Sequence, residues 1–359
     1  MKIQEMEQSK TGDKLDVVSH WICSTNHGFA PYAQEELRRM FGAVKSSVII
    51  PGEVLRVTLQ EEVGQVIDGL LSKTPIFLRH LFPIEWEWSV LEQGEFAEGI
   101  DALTAFVLSD PRLLNASKVA IQPRKSEQSL WNSTAAGLKE LLQDKFCELN
   151  AEFVVRDAEY IVSVFVDKEK LYAGISRPEQ NLSDWSGGAV RFQREEGQIS
   201  RAKFKLLEAE LTFGIDFTAF REALDIGAAP GGWTSFLLER GLKVTAIDPA
   251  KMHPSLKNHP QLTVIRKNAG EVKLREEQFD LLVCDMSWSP KLTAKLVSEL
   301  LYSLLPGGTA IVTVKLLSKK PMALIQEVIE TFHQSRMQVQ RAKQLFHNRD
   351  EITLYMIKY

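Results

Sequence analysis

The sequence predicts an α/β protein whose second half is a mostly parallel sheet closed by an antiparallel edge hairpin, with two smaller α+β modules before it. Three observations carry that reading. From Ser200 onward the runs EALDIGA, KVTAIDP, LTVIRKN, FDLLVCDMS and GTAIVTVKL alternate with helical stretches. Strands apolar on both faces belong to a parallel sheet covered by helices on either side. The stretch LDIGAAPGGWTSFLLERG, Leu224 to Gly241, passes from an apolar run through glycines into an amphipathic pattern, as strand, tight turn and helix start do in a βαβ unit. The chain closes with MQVQRAKQLFHNRDEITLYMIKY, two strand-like runs joined by a polar loop.

The earlier elements follow in order. SHWICSTNHGFAPYAQEELRRMF (Ser19 to Phe41) reads as strand, loop and helix, followed by strand-like SSVIIPGEVLRVTL and helical EEVGQVIDGLLSK. Helical GIDALTAFVLSDPRL, strand-like KVAIQP, helical SLWNSTAAGLKELLQDKF and the strand-like runs EFVVRD and YIVSVFVD make a second module. The polar, glycine-containing SRPEQNLSDWSGGAVRFQREEGQ reads as a linker. Residues 1–82, 83–185 and 186–359 are the expected units.

Composition sets outer limits. The chain has 359 residues, 44% hydrophobic and 25% charged, which suits a globular protein of two or three cores. No apolar run approaches the roughly 20 residues of a membrane span, so no membrane partner is expected. The charged start MKIQEMEQSKTGDKLD lacks a signal peptide's apolar block. Cys23, Cys147 and Cys284 are far apart and show no metal-ligand spacing, so no metal and a reducing cytoplasm are expected. The formal charge of -4 argues against indiscriminate coating of nucleic acid but leaves room for local basic patches.

The glycine turn selects among ligands. Gly227 to Thr234 has the spacing of a phosphate-binding loop, with Trp233 in the place of its lysine. Without that cation nothing meets β- and γ-phosphates. A dinucleotide fingerprint would need Ala229 at its second glycine, where a pyrophosphate demands close backbone approach. Pro230 stiffens the turn, Gly231 and Gly232 follow it, and Asp248 ends the next strand, where a carboxylate accepts ribose hydroxyls. An adenosine without phosphates fits best, and S-adenosylmethionine is one. Asn268 after LTVIRKN's strand and Asp285 after FDLLVC would face the same crevice at the strand ends.

Methyl transfer to a ribose hydroxyl needs a base. Lys315 lies inside the apolar run AIVTVKLL, Asp285 beside the donor turn, Lys205 in SRAKFKLLEAE, and Glu351 in NRDEITLYMI. Singly each has an ordinary explanation, Lys315 as an edge-strand lysine reaching solvent among them. Together they make a case.

SRAKFKLLEAE, DIGAAPGGWT, VCDMS, VTVKL and QLFHNRDEITLYM together resemble the FtsJ-type ribose 2'-O-methyltransferases, closest to the members that act on a cytidine of 23S rRNA. The resemblance implies a Rossmann-like, S-adenosylmethionine-dependent methyltransferase domain after a ferredoxin-like part and a THUMP-type RNA-binding domain. It implies a Lys-Asp-Lys-Glu tetrad at Lys205, Asp285, Lys315 and Glu351, with Lys315 as base, Asp285 and Lys205 as its electrostatic partners, and Glu351 orienting a lysine or the ribose. Donor positions fall on Ser200, Ala229 to Gly232, Asp248, Asn268 and Asp285. Gly227 and Trp233 complete that expected set from the turn itself. Ala229 and Asn268 depart from the family's usual cysteine and aspartate, and MSWSP after Asp285 is not the family's. The implied partner is RNA, held through phosphate contacts and stacking. Candidate contacts are Arg124, Lys125 and Trp131, Arg191 and Arg194, Lys319 and Lys320, and Trp288.

Overall fold

A computed structural model describes residues 17–316 and 320–359. Lys319 and the whole charged start, residues 1–16, lie outside the described residues. Strands β1 (Ser19–Ser24), β2 (Val44–Ile50), β3 (Val54–Leu59) and β4 (His80–Pro83) form a sheet of order β2-β3-β1-β4. All its pairings are antiparallel. Helices α1 (Ala30–Phe41) and α2 (Val63–Ser72) connect β1 to β2 and β3 to β4. This is the β-α-β-β-α-β arrangement of ferredoxin-like folds. β4 has four residues, too few to stand out by periodicity, and the sequence reading passes over it.

The second sheet, order β5-β9-β8-β6-β7, combines β5 (Trp86–Ser89), β6 (Lys118–Lys125), β7 (Glu152–Val154), β8 (Tyr160–Asp167) and β9 (Lys170–Ser176). Helices α3 (Val90–Gln93), α4 (Phe96–Leu108), α5 (Pro111–Leu114) and α6 (Ala135–Lys145) accompany it. Helix α6 starts later than the expected run at Ser129. Thr134 stops it from starting earlier: its hydroxyl accepts from Gly137 N at 3.0 Å as an N-cap. The linker is no free tether, because Asn181 is fully buried and Gln122 Nε2 donates to Asp184 O.

The third unit begins with α7 (Lys203–Phe213) and β10 (Glu222–Ile226), then α8 (Gly232–Glu239), β11 (Lys243–Ile247), β12 (Leu262–Ile265) and β13 (Phe279–Cys284). It continues with α9 (Pro290–Leu300), β14 (Leu304–Lys315), α10 (Pro321–Gln334), β15 (Met337–Lys343) and β16 (Glu351–Lys358). The strand order is β12-β11-β10-β13-β14-β16-β15. The first five are mutually parallel and the terminal hairpin is antiparallel. Within the hairpin β16 sits inside and β15 takes the edge. The reason is composition: EITLYMIK is buried along most of its length, while MQVQRAK leaves Gln338 and Arg341 exposed. The core of the first unit is continuous with one face of this sheet, where Leu37 and Phe77 belong to the same cluster as Leu282 and Leu354. Among the described residues no helix is long and apolar enough to cross a membrane.

Candidate active site

Strand order reverses between β10 and β13, with β11 on one side and β14 on the other. Crevices for ligands in open α/β sheets lie beyond the strand carboxyl ends at such a reversal. The turn after β10 builds one wall. Gly227 has φ +74°, and a Cβ there would come 2.4 Å from Met286 Cγ, so glycine is required by both backbone and space. Behind it Gly231, with φ +115°, leaves room for Leu256. The Ala229–Pro230 peptide is cis.

Two carboxylates hold this turn. Asp248, after β11, accepts from Ala229 N at 3.1 Å and from Ala250 N at 2.7 Å. Asp225, in β10, is 1% exposed and accepts from Thr234 Oγ1 at 2.6 Å, tying the strand to helix α8. Burial pushes its carboxyl up to about 7. An aspartate inside an apolar strand was the sequence signal for Asp225, and the sequence reading left it unused.

A cavity of about 250 Å³ opens beside the turn, lined by Gly227, Ala229, Asp248, Asn268, Asp285, Met286 and Trp288. Half of the expected donor positions therefore surround one space. Pro230, Gly231 and Gly232 shape the turn behind it. A Cβ on Gly232 would stand 3.0 Å from Ser200 Cβ, so Ser200 packs on the turn. Trp233 is corrected: it is 3% exposed, donates through Nε1 to Ala202 O, and packs in the core with Leu206 and Phe236. Its indole points away from the cavity because the large apolar ring is better buried under α7. Asn268 donates from Nδ2 to Glu271 Oε1 at 3.0 Å.

The four tetrad residues meet next to this cavity. Glu351 opens β16 directly opposite Lys315 at the end of β14, because the antiparallel register pairs them. Lys315 Nζ pairs with Glu351 Oε2, and Lys205 Nζ lies 2.6 Å from Glu351 Oε1. Lys205 Nζ also donates to both oxygens of Asp285 at 2.9 Å. Thr313 Oγ1 steadies Asp285 Oδ1 at 2.8 Å. The order is therefore Asp285, Lys205, Glu351, Lys315. Burial favours a neutral Lys205, but Asp285 and Glu351 together outweigh it and raise its pKa above the ordinary value. Such an amine stays protonated and cannot act as a base near neutral pH. Lys315, at the end of the row, has one carboxylate partner in this network.

The expected RNA contacts fare unevenly. Lys125 Nζ donates to Trp131 O and Ser133 O, fastening the loop before α6. Trp131 packs edge-on against Phe96 at the rim of the second core. Both side chains have structural work here: Lys125 satisfies loop carbonyls and the half-buried Trp131 packs at the core rim. Arg124 donates to Ser24 Oγ at 2.6 Å and lies over Phe165. Arg191 and Arg194 are exposed in the linker, and Trp288 is 46% exposed at the cavity mouth. Lys320 immediately precedes α10.

Residues 198–349 match the FtsJ-like methyltransferase family. The Ribosomal RNA large subunit methyltransferase M of Psychromonas ingrahamii is 36% identical over 208 residues, covering 54% of this chain and 55% of that protein. The protein of the same name from Halorhodospira halophila is 33% identical over 195 residues, 54% of this chain and 56% of its own. That of Laribacter hongkongensis is 29% identical over 250 residues, 66% and 69%. The matches to the first two thus span little more than half of each relative's length.

Proposed function

We propose that this chain, whose residues 198–349 form an FtsJ-like methyltransferase domain, is an S-adenosylmethionine-dependent 2'-O-methyltransferase of RNA, with a cytidine of 23S rRNA as the target. The observation that carries the reading is the row Asp285–Lys205–Glu351–Lys315 standing beside the cavity at the strand ends. The cavity suits an adenosine without phosphates: Asp248 places a carboxylate on its wall, suited to ribose hydroxyls and repellent to a pyrophosphate. S-adenosylmethionine held there supplies an electrophilic methyl group on a sulfonium.

Lys315, as the base, would take the proton of the ribose 2'-hydroxyl while the oxygen bonds to the methyl carbon and the carbon–sulfur bond breaks, so that S-adenosylhomocysteine leaves. Glu351 holds Lys315 in line across the β14–β16 pair. Lys205, kept cationic between Asp285 and Glu351, offsets one of the two carboxylate charges, and Lys315 offsets the other once it holds the transferred proton. Proton abstraction by a placed side chain contributes about 10²- to 10⁴-fold. Lys315→Ala is therefore expected to cut the methylation rate by about that factor while S-adenosylhomocysteine still binds, read by labelled methyl transfer and calorimetry. Unchanged methylation in the variant would remove Lys315 from the reaction.

The name of the relatives supports ribosomal RNA of the large subunit as the substrate class. The middle unit, read as THUMP-type, and the exposed Arg191 and Arg194 would hold the RNA, and a cytoplasmic location follows from such a substrate.

A further inference from the structure

The four tetrad residues belong to the third unit, yet the loop that delivers Glu351 is held from outside it. Residues 344–350 join β15 to β16 and end one residue before Glu351. Asn26, buried in the turn after β1 of the first unit, donates from Nδ2 to Leu345 O at 2.8 Å and to Asn348 O at 2.7 Å. Its Oδ1 accepts from Arg79 Nη1 at 2.7 Å. Gln344 N also donates to Ile76 O of the first unit at 2.9 Å.

The opposite side of the loop is held by α7. Glu208 accepts from Phe346 N at 2.6 Å and His347 N at 2.8 Å, and it lies one turn beyond Lys205 on the same helix. Asn348 closes the loop on itself: its Oδ1 accepts from Leu345 N and from Thr353 Oγ1, and its Nδ2 reaches Glu351 Oε1 at 3.5 Å. The chain of contacts runs from Asn26 through Asn348 to Glu351. Ordering a polar loop costs conformational entropy at every residue, and Asn26 meets two of its carbonyls with one amide.

We propose that Asn26 is a positioning residue for methyl transfer: through it the first unit holds loop 344–350 in the shape that sets Glu351 between Lys205 and Lys315. This rests on the function proposed above. It also makes the first unit a working part of the active site rather than an appended module. Active-site groups must be held closely, and a misplacement of about 1 Å remote from the chemistry can cost on the order of 100-fold in rate.

Asn26→Asp is the sharp variant. It keeps the shape and the acceptor for Arg79 but replaces the two donated hydrogen bonds with lone pairs facing carbonyls. Leu37→Ala, which opens the first unit's core without touching the loop, controls for lost stability. The readouts are single-turnover methylation at saturating RNA, S-adenosylhomocysteine affinity, and hydrogen exchange at the Phe346 and His347 amides. For Asn26→Asp the expected result is a rate lowered about 10- to 100-fold, unchanged donor-site affinity and faster exchange at both amides. Leu37→Ala should keep the wild-type rate below its melting temperature. A wild-type rate in Asn26→Asp, or an equal loss in Leu37→Ala, overturns the assignment. An RNA-inactive wild type would sink the proposed function instead, and the role given to Asn26 with it.

Discussion

Two lysines lie within reach of Glu351, and their surroundings separate their roles. Lys205 has a carboxylate on either side, which holds it protonated, whereas Lys315 ends the row. The donor turn rests on equally local facts. Gly227→Ala combines a left-handed φ with a Cβ 2.4 Å from Met286 Cγ, so it should cost about 1–3 kcal/mol in strain and weaken S-adenosylhomocysteine binding, checked by calorimetry. Asp225 predicts a pH dependence. Its carboxyl is raised from 3.8 to about 7, so the native state binds this proton more tightly than the unfolded chain does. The stability from that tighter binding is fully present below about pH 3.8 and is lost as pH rises through about 7, an effect of order 4 kcal/mol. Asp225→Asn removes it. The variant's melting temperature, taken relative to wild type, should therefore climb between pH 5 and pH 8; a flat difference would contradict the burial argument.

At the level of elements, the sequence shows most where one local pattern decides the outcome. The parallel strands are legible because burial on both faces leaves continuous apolar runs, and the turn after β10 because its glycines are forced by φ and space. Lys315 stands out as a charge at the end of such a run. Other features depend on partners distant in the chain. Four-residue β4 exists because it pairs with β1, and the inside position of β16 follows from pairing with both β14 and β15. The start of α6 was local yet overlooked: Thr134 caps it, and Ser129 to Ser133 stay outside the helix. Thr134→Ala is expected to lower stability by about 1 kcal/mol in thermal or urea unfolding and to leave donor binding untouched.

Across the whole molecule, the first and third units share a core, and buried polar contacts stitch them together. Lys343 of β15 is 6% exposed and donates to Pro75 O and Leu78 O of the first unit. Burial lowers its pKa, and the facing carboxylates Glu36 and Glu208 oppose that. Lys343→Ala leaves the buried carbonyls of Pro75 and Leu78 without this donor and removes a cation that faces Glu36 and Glu208. A loss of about 3 kcal/mol in unfolding free energy is expected. No local pattern announces this contact or that of Asn26, since the partners lie hundreds of residues apart and each looks ordinary in its own segment. Trp233 shows the converse: it stands in the donor turn by sequence, and the fold buries it beneath α7. Of the tetrad only Lys315 looks out of keeping with its strand, and the grouping of the other three with it was implied by the resemblance of their motifs rather than by any local pattern. The most direct test of the central claim is to treat unmodified 23S rRNA with the protein and methyl-labelled S-adenosylmethionine, then digest to nucleosides and locate the label by mass spectrometry. The account predicts label on a ribose 2'-oxygen with wild type and its loss with Lys315→Ala; label on a base, or none with wild type, would contradict it.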